Sequence, residues 1–260
     1  MDPDVIFANL LFLFNAIPTF QTGYVWASWT IGVEMIFYLA FPLIYRHVKD
    51  IWGALALLLG AMLLFMLVRA AIMHLPATIE YRQSYVQWSI FRHLPLFVFG
   101  IVAFFLAKNL MLIEDERKKR IVGLILILAA CQLYASLLSG WLPQLFPDVY
   151  YWQGIVYALL ALGCLLNPLP LIVNRLTEFL GKLSYSIYLI HPSIVFFMTP
   201  IYRRIYSAVP DIFTALITCF LLTMIVVVML SYATYRLIEE PGIRLGKKLS
   251  RRLPAPEAAR

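Results

Sequence analysis

Charge is scarce in this sequence. Charged side chains make up 13% of its 260 residues, where an ordinary soluble domain carries roughly 25%, and 62% of the residues are hydrophobic. So little charge cannot clothe a water-soluble globule, which excludes a soluble enzyme. Cysteine is nearly absent as well: Cys131, Cys164 and Cys219 each sit in an apolar run. An odd number of thiols, without CxxC or His/Cys spacing, argues against a disulfide framework or a metal site and leaves them as packing residues. A glycine-rich phosphate loop is missing, and so is the internal repeat that secondary transporters often carry. The opening "MDPDVIFANL" holds two aspartates and no lysine or arginine, so it does not read as a cleaved secretory signal.

Apolar stretches of membrane-spanning length are abundant. A bilayer core about 30 Å thick needs about 20 residues of helix, because each residue rises about 1.5 Å and no water satisfies the backbone there. The pattern predicts helices at 26–45, 51–73, 90–107, 121–138, 150–166, 184–202 and 212–235. A shorter apolar segment at 5–17, containing Asn9 and Asn15, fits the end of a span, a re-entrant piece or an interfacial helix. The expected fold is all-α, a polytopic transmembrane helical bundle of about seven or eight spans, in one domain over 1–249. A short polar tail, 250–260, is expected to be disordered.

The net charge is +7, but the basic residues lie in short loops and not on one folded face. Nucleic acid is therefore not an expected partner; membrane lipids of the anionic inner leaflet are. The bias of lysine and arginine between alternate loops predicts orientation. It puts Arg46, Lys49, the basics of 108–120, Arg175, Lys182 and those from Arg236 onward inside, with the C-terminus cytoplasmic. Arg82, Arg92, Arg203 and Arg204 fall outside, beside the Trp/Tyr-rich stretch 139–153.

One carboxylate stands out. Glu34 lies within "SWTIGVEMIFYLAFP" (28–42), at a depth where an ionisable group costs at least about 2.5 kcal/mol to insert. At helical spacing Thr30, Glu34, Phe37, Tyr38 and Phe41 share a face. Either Glu34 faces a cavity, poised for proton transfer, or it is locked to a cation such as Arg69 for assembly. A second cluster is "GKLSYSIYLIHPSIVFF" (181–197), in which Ser184, Tyr188 and His191 fall within about 60° of one another on a helix. Pro192 removes a backbone donor beside His191. His191 suits general-base work, and equally suits a ring satisfied by a neighbouring carbonyl. The stretch "YRLIEEPGIRLGKK" (235–248) reads as the last helix leaving the membrane. His47, His74 and His93 lie near predicted helix ends, where hydrated histidines are ordinary.

Taken together and in order, "SWTIGVEMIFYLAFPLIY", "FRHLPLFVFGIVAFFLAK" (91–108), "LGKLSYSIYLIHPSIV" (180–195) and "YRLIEEPGIR" resemble the integral-membrane acyltransferase 3 family, whose members transfer acyl groups to envelope carbohydrates. The resemblance implies that Glu34 is the family's intramembrane glutamate. It also implies that Ser184, Tyr185, Tyr188 and His191 belong to its Ser-Tyr-Ser-x-Tyr-x-x-His block. Met35 occupies the place of a second acidic residue found in many relatives. Family members normally begin with two or three further helices bearing an arginine and a histidine, so the chain is expected to be truncated at its N-terminus, or to work with a partner supplying those helices.

The function so implied is O-acyl transfer, with acyl-CoA, chiefly acetyl-CoA, as co-substrate and no bound cofactor or metal. The acceptor is a hydroxyl of an envelope polysaccharide or glycolipid, and the compartment a bacterial-type inner membrane. Glu34 and His191 are the expected catalytic groups. Tyr38, Ser184, Tyr185 and Tyr188 are expected to contact substrate, with Trp29 and Trp26 stacking on a sugar ring or serving as interfacial belt residues. A proton-coupled transporter, and an inactive fragment of the acyltransferase, are the competing readings.

Overall fold

The structure, a computed structural model, describes residues 3–12, 14–16, 28–141, 146 and 148–251. Regular structure among them is entirely helical: α1 (Pro3–Leu10), a short 3₁₀ turn (Phe14–Ala16), α2 (Ser28–His47), α3 (Ile51–Met73), α4 (Ile79–Trp88), α5 (Ile90–Leu110), α6 (Glu116–Leu138), α7 (Val149–Leu166), α8 (Arg175–Ala208), α9 (Ile212–Thr234), a π-helical turn (Tyr235–Glu239) and α10 (Glu240–Ser250). The residues fall into two compact units, 1–173 and 174–260.

Much of the chain's sparse acid is spent starting helices. Asp50, Asp115, Asp148 and Asp211 each precede a helix and accept from its first free N–H groups, and Asn174 does the same in a capping box with Thr177. Such caps satisfy donors that the helix cannot. Asp211 lies outside the spans; hydrogen bonds from the Thr214 hydroxyl and N–H hold its carboxyl below the usual carboxylate range. At the other end of α6, Gly140 takes φ +71°. Its N–H bonds the Leu137 carbonyl and that of Trp141 the Ser136 carbonyl, the paired closure that glycine permits after a helix.

Six stretches among the described residues are long and apolar enough to cross a membrane: Ser28–His47, Ile51–Met73, Ile79–Leu110, Glu116–Leu138, Val149–Leu166 and Ile212–Ser250. The chain is an integral membrane protein. The predicted span 184–202 lies inside the 34-residue α8, which is not among the six because Ser184, Ser186, Tyr188 and His191 lower its apolarity. The segment 5–17 forms only α1 and the 3₁₀ turn, with Phe12 at φ 56° ending α1; Leu13 and Ile17 lie outside the described residues. Residues 26 and 27 of the first predicted helix, and 252–260 of the tail, lie outside them too. An unpredicted helix, α4, precedes α5: its Glu80, Arg82, Gln83 and Ser84 hid it from a search for apolar runs.

In the first unit the small and aromatic residues face inward. Ala54, Leu58, Ala61 and Phe65 of α3 meet Val98, Phe99 and Val102 of α5 and Tyr151 of α7, while Leu59, Leu63 and Leu67 point outward. In lipid this inversion is expected, since close packing and not water exclusion holds helices together. It reaches its limit where α6 meets α7. A Cβ on Gly163 would lie 2.9 Å from the Gly123 carbonyl oxygen, and one on Gly123 2.8 Å from the Asn167 nitrogen, so the two backbones touch. In the second unit Ile194 and Met198 of α8 pack on Val227 of α9, and the Tyr202 hydroxyl meets that of Thr223 at 2.5 Å.

The helix expected to end near 235 does not. A π-helical turn follows α9, with the Glu240 N–H reaching back to the Tyr235 carbonyl. Pro241 falls in the first turn of α10 and, having no N–H, adds no bond to this ladder. Glu239 and Glu240 therefore lie within a continuous helical path and not at its end.

Candidate active site

Glu34 opens onto a recess of the first unit. Trp29, Thr30, Val33 and Glu34 of α2 and His93, Leu96 and Phe97 of α5 line a volume of about 350 Å³, within the range of small-molecule sites. Thr30 and Glu34 are one turn apart, which sets hydroxyl and carboxylate on the same face. Glu34 is half-buried.

The histidine in this recess is His93, whose place near a predicted helix start pointed to a hydrated ring. His93 is 7% exposed, not hydrated at a helix end, because α4 and the aromatic groups around it cover that end. Its Nε2–H donates to the Gln87 carbonyl at 3.2 Å, which in the neutral ring leaves the lone pair on Nδ1. The ring lies 5.1 Å from Trp29 and 5.9 Å from Tyr150, and Trp88 meets Trp29 edge-on at 4.8 Å. The Asn15 amide donates to the Trp88 carbonyl at 3.2 Å. A Cβ at Gly32 would fall 1.9 Å from the Asn15 oxygen, so only glycine admits this approach to α2. Beside His93, Arg92 grips Asp148 through Nε at 2.5 Å and through its terminal nitrogen at 3.3 Å, and lies over the Tyr150 ring at 4.3 Å. Arg92, an awkward charge for the expected orientation, is thus neutralised.

The remaining residues of the expected α2 face separate. Phe37 and Phe41 line a neighbouring groove, and Tyr38 is 58% exposed, outside the recess. Trp26 lies outside the described residues.

The second cluster lies on α8 in the second unit. Ser184 and Tyr185 are exposed and Tyr188 and His191 half-buried, with the last two rings 5.8 Å apart. His191 Nδ1–H donates to the Tyr188 carbonyl at 2.8 Å and faces that of Ile187 at 3.1 Å. The reason lies one residue on. In an α-helix the Tyr188 carbonyl would accept from residue 192, but Pro192 has no N–H, and the imidazole supplies the missing donor. Nε2 then carries the lone pair of the neutral ring.

Ser186, overlooked between Ser184 and Tyr188, is 2% exposed and donates to Glu239 Oε2 at 2.7 Å. Glu239 belongs to the stretch expected to leave the membrane; the structure makes it the acceptor that joins the π-helical turn to α8. Such turns recur at functional sites. Their signal in the sequence is the "LIEEP" stretch, acidic residues just where a helix should cease. Among the described residues no group of His, Cys, Asp and Glu is arranged to hold a metal ion, and the three cysteines are free.

Comparison with known proteins gives a consistent picture. The family described as "Acyltransferase domain", acyltransferase 3, matches residues 3–236. A candidate acetyltransferase of Acidianus two-tailed virus, ORF330, is 27% identical over 186 residues, covering 72% of this chain and 53% of its own length. The chain thus spans about half the length of that curated relative. No solved structure matches.

Proposed function

This chain belongs to the acyltransferase 3 family, and from that membership we propose that it moves an acyl group from acyl-CoA, chiefly acetyl, to a hydroxyl of an envelope polysaccharide or glycolipid. The observation that carries the reading is the recess that brings Glu34, Thr30, Trp29 and His93 together inside the transmembrane helices of one unit. Acyl transfer to an alcohol needs a proton acceptor for the hydroxyl and a donor for the developing oxyanion. Glu34 takes the hydroxyl proton as the oxygen attacks the thioester carbonyl. The carbon–sulfur bond then breaks, and the proton is handed to the departing thiolate. The Thr30 hydroxyl supports the oxyanion, Trp29 offers an apolar ring face to the sugar, and the His93 lone pair, with its tautomer set by Gln87, completes the proton path.

On the α8 unit His191, whose Nε2 carries the other such lone pair, is the competing base, with Tyr188, Tyr185 and Ser184 as hydroxyl donors. The lysine and arginine distribution favours a cytoplasmic C-terminus, and an envelope acceptor suits a bacterial-type inner membrane. The test reconstitutes the full chain in vesicles with labelled acetyl-CoA and a carbohydrate acceptor. Transfer that requires Glu34 supports the reading; transfer unchanged in a folded Glu34→Gln variant removes the carboxylate from the chemistry.

A further inference from the structure

A second cavity shares helices with the recess and has a different character. It is a groove of about 550 Å³ between α2 and α5, walled by aromatic and aliphatic side chains. Its lining advances in step along both helices, from Phe37 and Phe97, stacked with centroids 4.3 Å apart, to Lys49 and Lys108 at the other end. Phe97 is the wall common to groove and recess.

Three features of the groove define its occupant. From Phe97 to Lys108 α5 climbs 11 residues, about 16 Å, which is half of a hydrocarbon core about 30 Å thick. The apolar channel is therefore one leaflet deep. The end away from the stack carries two ammonium groups, and among the described residues neither forms an ion pair. Lys49 donates to the Tyr45 carbonyl at 2.9 Å and Lys108 rests over the Phe104 ring at 4.6 Å, so both are folded onto the groove's own rim. An apolar slot of single-leaflet depth with a dicationic rim at the helix ends complements an anionic amphiphile. Basic clusters at the ends of transmembrane helices take lipid headgroups in the same way.

We propose that the α2–α5 groove is a binding site for an anionic phospholipid, one acyl chain lying along Phe41, Ile101 and Phe105 and its phosphate against Lys49 and Lys108. The site is independent of the acyl-transfer reading.

The test exposes the purified full chain to equal amounts of phosphatidylglycerol and phosphatidylcholine in mixed micelles and reads retained lipid by native mass spectrometry. The wild type is expected to retain phosphatidylglycerol preferentially, and Lys49→Gln/Lys108→Gln to lower that preference roughly 30-fold. Gly100→Leu tests the channel itself. Gly100 lines the groove and a Cβ there meets no atom within 4 Å, so the larger side chain intrudes on the lipid without displacing protein, and retention of both lipids falls. Lys247→Gln/Lys248→Gln, an equal loss of charge on exposed α10, leaves the preference unchanged. Three results overturn the proposal: a preference that survives replacement of both groove lysines, an equal fall in the α10 control, or displacement of the lipid by acetyl-CoA, which would make the groove the donor's seat.

Discussion

His93 and His191 each give one ring N–H to a main-chain carbonyl and keep a lone pair on the other nitrogen, yet their surroundings differ in kind. His93 reaches across from α5 to the Gln87 carbonyl of α4, so its bond ties two elements together and holds the ring in the wall of the Glu34 recess. His191 turns back onto its own helix, repairing the gap that Pro192 opens. The first arrangement fixes a ring in the wall of a recess; the second caps a carbonyl of its own helix. A histidine's neighbours, more than its depth, decide which of these it does.

The largest effect expected from this contrast is on catalysis. Glu34→Gln should lower acetyl transfer by roughly 10²–10⁴-fold without altering helicity, and His93→Gln should fall toward the same level. His191→Ala should leave most of the transfer intact. The reverse ranking, in a variant whose fold is kept by Pro192→Ala, would move the reactive histidine to the second unit.

Next in size is the support of the recess. The Asp148 side chain is 7% exposed and that of Arg92 17%. Arg92→Met leaves a buried carboxylate uncompensated and should destabilise the chain by about 3–5 kcal/mol in a denaturant titration, whereas Arg92→Met/Asp148→Asn, which keeps an α7 cap, recovers most of that loss.

A smaller effect belongs to the second unit. Ser186→Ala removes the hydroxyl donor of Glu239 and should cost about 1.5–3 kcal/mol, with no change in Glu34-dependent transfer. Smallest is the repair itself: His191→Ala should cost about 1 kcal/mol. In a Pro192→Ala background, where the residue 192 N–H can serve the Tyr188 carbonyl, the same change should cost almost nothing. A penalty of equal size in both backgrounds would show that the ring does something other than cap that carbonyl.

Much of this was readable beforehand, for physical reasons. Five of the six spanning stretches announce themselves as apolar runs near the expected positions, because lipid leaves the backbone no alternative to a helix. The sixth, Ile79–Leu110, was seen only from residue 90 on, since the polar part of its length is a helix of different composition. Glu34 was conspicuous for the same reason that makes it costly, and its turn-spaced neighbour Thr30 followed from helical geometry. His93 carries no such signal, because position along the chain does not report depth. Three residues from a predicted helix start looks exposed until Trp29, Trp88 and Tyr150 are folded over it. Ser186 and Glu239 are 53 residues apart, and no local pattern announces a pairing of that range. Tyr38 shows the limit of a helical wheel, which groups residues by angle but does not say which neighbour each will meet.

The π-helical turn at Tyr235–Glu239 holds one residue beyond what an ordinary winding would need. Were this turn to rewind as plain α-helix with every residue kept, at little expense in hydrogen bonds, everything after it would swing by about 100° relative to α9. Glu239 would leave Ser186, and the basic row Arg244, Lys247, Lys248 would turn to a new bearing. A rewinding silent to helix content would thus re-aim α10.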